Sequence, residues 1–191
     1  MDPVVHLLVV QAYNNAWANH RLLRACMRLD HAQLGAKGTS FFPSIKATLD
    51  HIVTVDWFYV AAIERGLAGL PVDPDGRKCF DPEEPFDDAR ALADVQHEVD
   101  ARLIALCEAL DPAALAQTIT IPWRTIGHET TLRVLMHLFE HQIHHRGQAH
   151  AMLAGTTVAP PQLDEFYCAG DAPLRAVDFA ELGWTELMIW D

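Results

Sequence analysis

The feature that most constrains this chain is a run of apolar residues at helical spacing. Leu92, Val95, Val99, Leu103, Leu106 and Leu110 step by three, four, four, three and four. That is one face of a long α-helix, capped by Asp87 or Asp88 and stopped by Asp111-Pro112. Three other segments read the same way. From an Asp2-Pro3 start to about Leu29, the stripe is Val5, Leu8, Val9, Ala12, Ala16, Leu22, Leu23 and Cys26. From Pro43-Ser44 to about Arg65, Ile45, Leu49, Ile52, Asp56, Tyr59 and Ile63 mark one stripe. Ser44, Thr48, His51, Val55, Phe58 and Ala62 mark its neighbour. The last helix runs from about Thr131 to Leu153 and ends at Gly155.

Four such helices predict an all-α fold, a four-helix bundle. The links between them are short or moderate except GLAGLPVDPDGRKCFDPEEPF at 66–86, whose prolines and turn residues mark a connector. A connector that long lets the third helix start at the same end as the second, so the order need not be simple up-down-up-down. GAKGTS at 35–40 reads as a loop. TITIPW at 118–123 alternates as a short strand does, hairpinned with the residues after Gly127. The tail beyond Pro160-Pro161 is expected to be short and irregular, with small helices at Asp164–Tyr167 and Leu174–Leu182. At 191 residues the chain is read as one domain, 1–191.

The net charge is −12. Binding to a phosphate backbone needs clustered Lys and Arg, so no nucleic-acid partner is expected, and an acidic chain does not suit an anionic membrane. No apolar run is long enough to span a bilayer, and MDPVVHLLVVQAY carries an acid where a signal peptide is basic. The expected location is the cytoplasm. Cys26, Cys79, Cys107 and Cys168 are widely spaced and form no CxxC, which reads as reduced, mostly buried thiols.

Residues 137–150, HLFEHQIHHRGQAH, hold five of the chain's 11 histidines. His137, His141 and His145 form an i, i+4, i+8 row, with His144 three after His141 and His150 off the row. Two histidines at i, i+4 can chelate one divalent ion, and a third ligand completes a useful site. His51 is the best candidate: it sits mid-helix among small and apolar residues, and a bundle builds metal sites from inward side chains of facing helices. Glu140 lies on another stripe. Spacing alone leaves both pairs open, His137/His141 and His141/His145.

Three segments carry a resemblance. HLFEHQIHHRGQ resembles the closing motif of the DinB/YfiT-like family, a histidine, three residues, then HRGQ. TLDHIVTVDWFYV at 48–60 is similar to its second motif, LxHI followed by Asp and aromatics. YNNAWANHRLL at 13–23 is similar to its first. The resemblance spans the first helix to the fourth, up to about residue 165. It implies an up-down-down-up bundle, a homodimer, and a divalent metal held by His51, His141 and His145. His137 and His144 then become neighbours of the site, and Gln148 and Asp50 become candidate acceptors for ligand N–H groups. Tyr13, Asn14 and Trp17 would line the pocket mouth. Zinc or nickel is the expected metal, iron or manganese the alternatives, since imidazole suits several divalent ions. The resemblance further implies a metal-dependent transferase of small thiols, or a hydrolase, acting on a small molecule. The competing reading is a non-catalytic metal- or ligand-binding bundle, a stress-related binding or sensing dimer. Neutral histidines of reference pKa about 6.5 imply metal loading that falls below roughly pH 6.

Overall fold

The computed structural model describes residues 2–123 and 126–190. The chain is mostly helical, and its first element, α1, is Pro3–Cys26. The Asp2 carboxylate caps it by accepting from the backbone N–H groups of Val4 and Val5, with Pro3 in the first turn. A short helix that the spacing did not signal, α2 (His31–Leu34), follows. It closes on a capping box between Asp30 and Gln33. Ser44 caps α3 (Ile45–Leu67), and Asp88, not Asp87, caps α4 (Ala89–Glu108). Asp111 stops α4 and caps α5 (Pro112–Ala116). The expected hairpin is β1 (Thr118–Pro122) antiparallel to β2 (Ile126–Thr130), in a register that sets Ile119 opposite Glu129. Thr130 then caps α6 (Thr131–Leu153).

The four long helices α1, α3, α4 and α6 pack on one another, α1 chiefly on α4 and α3 chiefly on α6. Their apolar faces form two clusters. One includes Leu8, Ile63, Leu103 and Leu138; the other includes Leu22, Leu49, Leu92 and Leu153. On every long helix, buried polar residues separate the two clusters: Asn15 and Asn19, Asp56, Gln96 and Asp100, Gln142 and Arg146. Helices α1 and α6 meet the first cluster before the second; α3 and α4 meet them in reverse order.

Two expectations for the tail are corrected. Residues 164–167 form no helix, because the carbonyl of Glu165 is held by the Arg175 guanidinium and Phe166 drops into the core against Trp17. Nor is the tail merely irregular. It carries α7 (Ala172–Leu182), closed by Gly183 in the left-handed conformation at φ 74°, and α8 (Glu186–Trp190). Phe166, Phe179 and Ile189 complete the first apolar cluster. Arg175, fully buried, clamps Glu186 at 2.8 Å. Cys26 and Cys107 are buried, Cys79 half-buried and Cys168 exposed, all unpaired. Among the described residues no helix is long and apolar enough to cross a membrane.

Candidate metal centre

The site is built where α3 and α6 face each other. His51 sits about two turns into α3. His145 follows His141 by four positions on α6, so both rings project toward α3. One ring nitrogen from each of the three lies within 4.8 Å of the other two. The Nε2 atoms of His51 and His141 are 2.9 Å apart. Ring centroids are 4.4 Å apart for His141 and His145, 4.9 Å for His51 and His141, and 4.7 Å for His51 and His145. Of the two pairs that the spacing left open, His141/His145 is the one that lies with His51; His137 does not join the cluster. Its ring packs edge-on against Tyr59 and stands 6.2 Å from His141.

Three neighbouring imidazoles need a reason to stay together, and burial supplies it. Desolvation, with a smaller contribution from His145, pulls the His51 pKa down to about 4. Desolvation, then the neighbouring histidines, pulls His141 to about 3. His145 is also lowered, chiefly by burial. All three rings are therefore neutral near neutral pH, the form in which imidazole ligates a metal. The wall of the site is apolar on one side. The Phe42 ring lies 4.3 Å from that of His51 and 5.5 Å from that of His145. Phe42 was not singled out by the sequence reading; its signal is the FFPS run just ahead of the α3 cap.

The tautomer of His145 is fixed by a neighbour. Its Nδ1–H donates to Gln148 Oε1 at 3.0 Å, leaving the Nε2 lone pair free for a ligand. The Gln148 amide is itself oriented, because its Nε2–H donates to His144 Nε2 at 2.9 Å. His144 is thus an outer support on the exposed side of α6. Asp50 does not serve the site. Its carboxylate accepts from Lys46 Nζ at 2.9 Å and from the Phe86 backbone N–H at 3.1 Å. His141 Nδ1 is buried with no hydrogen-bond partner, and the ring meets α3 through its Nε2, 2.9 Å from His51 Nε2. Glu140 is exposed.

The donor set fits a divalent metal. For bonds of about 2.0–2.1 Å, two nitrogens on one ion stand about 2.9 Å apart at a right-angled centre and about 3.3 Å apart at a tetrahedral one. The 2.9 Å separation of His51 and His141 is already at that scale. A second group, His20, Asp178 and Glu181, is equally close-set. There Arg21 reaches Asp178 at 2.6 Å and Arg24 reaches Glu181 at 2.6 Å, so the carboxylates are already answered by cations.

A family model for the DinB family matches residues 5–171. The chain belongs to the DinB family. A crystal structure of a DinB-like protein from Bacillus cereus ATCC 10987 superposes with a TM-score of 0.59 at 18% identity, covering 78% of this chain and 91% of that one. At that identity the likeness speaks for the fold. No curated protein matches the chain.

Against this DinB frame, the α1 residues expected at the pocket mouth occupy other positions. Trp17 is fully buried, and its indole N–H donates to Asp178 of α7 at 3.2 Å. The Tyr13 hydroxyl donates to Glu108 at 2.8 Å, and its ring packs edge-on against Trp184. Burial, then Glu108, pushes the Tyr13 pKa up to about 12. Both side chains are committed to α4 and the C-terminal segment, which the sequence reading took for an irregular tail. Asn14 is buried beside them, its Oδ1 without a partner.

Proposed function

We propose that His51, His141 and His145 hold a divalent metal ion, zinc or nickel before iron or manganese. In this reading the centre serves transfer of a small thiol to a small molecule, or hydrolysis of one. The observation that carries the reading is the convergence of three neutral imidazoles, two half-buried and one buried, with no carboxylate joining them among the described residues. A structural zinc site is usually closed by four protein ligands, often with Cys, whereas a three-histidine site leaves a position for an exogenous ligand. A divalent ion bound there would lower the pKa of a thiol or water presented to that position. The chain's own residues do the rest. Gln148 holds His145 in the ligating tautomer, burial keeps the rings unprotonated, and Phe42 keeps bulk water from one side.

Several broader features belong to the same proposal. The four long helices run up-down-down-up, which is supported by the opposite order in which α1 and α6, against α3 and α4, meet the two apolar clusters. The chain is one domain, 1–191, in the cytoplasm, working as a homodimer on a small molecule without nucleic acid or membrane.

A second reading is a metal- or ligand-binding DinB bundle that senses or stores without turnover. Among the described residues no carboxylate base joins the histidine cluster, which favours it. Free-thiol consumption in the presence of a small electrophile separates the two. The enzyme reading expects consumption that a chelator abolishes, that zinc or nickel restores, and that His51→Ala lacks. One metal per chain with no metal-dependent turnover, across cysteine, glutathione and larger thiols, leaves the binding reading standing.

A further inference from the structure

A cavity of about 740 Å³ lies away from the three histidines, between the second half of α3, the 66–86 connector and β1. None of the ligand histidines lines it. Its size falls in the range of small-molecule sites. Trp57, Phe58, Ala61 and Ala62 form the α3 wall, and Leu70 and Phe86 close it from the connector. Trp57 and Leu70 remain 44% and 54% exposed, so large apolar side chains face this space uncovered. An apolar cleft with a few polar groups at its edge is the usual form of a small-molecule site.

The polar groups narrow the ligand. Arg65 lines the cavity. Its Nε and Nη2 both donate to the Pro71 carbonyl, at 3.1 and 2.7 Å. Among the described residues its Nη1 has no partner and no carboxylate pairs with it. A fixed guanidinium edge with spare N–H groups is a hydrogen-bond donor awaiting an acceptor. Three carboxylates, Asp73, Asp75 and Asp81, also line the space, and Lys78 answers only Asp75, at 3.0 Å. Their excess negative charge disfavours an anionic ligand, and apolar walls disfavour desolvating a cation.

We infer that this cavity binds an uncharged, largely apolar small molecule of aromatic character, with one carbonyl-type oxygen that accepts from Arg65 Nη1. The aromatic body stacks between Trp57 and Phe86, and the oxygen points to the Arg65 end. The site is separate from the metal centre and does not depend on it. The two are neighbours all the same. Phe58 is seven residues from His51 on the same face of α3, about 10 Å along the axis. Phe86 is tied through its N–H to Asp50, the residue before His51.

The probe is prodan, an uncharged naphthalene ketone whose emission shifts to the blue in apolar surroundings. The whole chain, stripped of metal, is titrated with it. Saturable blue-shifted binding at one per chain with micromolar affinity is expected. Ala61→Trp, which fills the cavity from a half-buried position, should weaken binding at least tenfold while circular dichroism stays unchanged. Arg65→Met keeps the apolar stem, removes the donor, and should weaken binding three- to tenfold. His51→Ala should bind as wild type. Absence of saturable binding up to 100 µM overturns the inference, as does unchanged affinity in a folded Ala61→Trp protein. Loss of binding in His51→Ala would place the probe at the histidines and also overturn it. Unchanged affinity in Arg65→Met removes the acceptor contact, and with it the ligand class.

Discussion

Replacing Arg146 with Met tests what holds the four long helices in register behind the three histidines. Arg146 follows His145 on α6 and is 5% exposed. Its Nη1 donates to Asn15 Oδ1 and Asn19 Oδ1 of α1, each at 2.9 Å. The amides of those two residues donate in turn to Asp100 of α4, which also accepts from Gln96 at 3.1 Å. Gln96 reaches Asp56 of α3 at 2.9 Å. One cation thus answers buried carboxylates through two asparagines. Burial raises the Asp100 pKa to about 6 against the lowering effect of Asn19, Gln96, Arg146 and Asn15; burial and then Asp100 raise Asp56 well above the usual carboxylate range. Removing Arg146 leaves the Asp100 charge uncompensated and two amide oxygens without a donor. Breaking a buried charge pair in this way costs about 3–5 kcal/mol. With a urea slope of about 2 kcal/mol per molar, the unfolding midpoint should fall by about 2 M. Adding Asp100→Asn removes the stranded charge, and the freed asparagine amides can turn to meet it. The double variant should therefore recover about 2 kcal/mol relative to the sum of the single changes. The measurement is urea unfolding by circular dichroism on metal-stripped protein at pH 7.5. A midpoint shift below about 0.5 M for Arg146→Met, or strict additivity in the double variant, refutes the network as drawn.

Gly66→Ala offers a packing test. A Cβ there would meet Ile119 Cγ2 at 2.5 Å and Cβ at 2.7 Å, in a buried strand residue. Overpacking of about 1–3 kcal/mol should outweigh the roughly 1 kcal/mol gained in helix propensity, giving a lower melting temperature. Gln148→Leu removes the acceptor of His145 Nδ1–H and should weaken zinc affinity about 10- to 100-fold in a competition titration, with the fold intact. Proton titration followed by NMR on metal-free protein should place His51 near pH 4 and His141 near pH 3; a midpoint between 6 and 7 for either contradicts the burial argument. The sign follows: with folded values below the unfolded 6.5, their contribution to stability is whole above pH 6.5 and is lost as pH falls through 4 toward 3. Metal loading should accordingly persist below the pH 6 expected from unperturbed histidines.

The four long helices were legible because each carries its own apolar period and most carry a capping side chain, as Asp2, Ser44 and Asp88 show. The histidines were legible because i, i+4 spacing places His141 and His145 on one helical face whatever the rest of the chain does. The third histidine of the cluster was legible from its oddity, an imidazole among small and apolar neighbours on α3. Other features depend on contacts between segments far apart in sequence. Trp17 and Tyr13 read as a pocket rim because nothing near them in the chain reveals Asp178, Glu108 or Trp184. Phe166 lies in no periodic run, so its place in the core and the packing of α7 and α8 around it were hidden. The polar belt of Asn15, Asp100 and Arg146 was equally illegible, since each residue alone reads as a surface group. Asp50, adjacent to His51, looked like a second-sphere acceptor; Lys46 and the Phe86 N–H take it instead.

The central claim is that His51, His141 and His145 together hold one metal ion. Metal content by plasma mass spectrometry, on wild type and on single alanine variants reloaded with zinc and desalted, tests it most directly. One ion per chain is expected for wild type, with most of it lost in each of His51→Ala, His141→Ala and His145→Ala. His137→Ala should stay near one ion per chain, because that ring stands outside the cluster. Circular dichroism should be unchanged throughout, since the apolar clusters do not need the metal. Equal metal in wild type and His51→Ala would contradict the three-histidine centre and the function built on it.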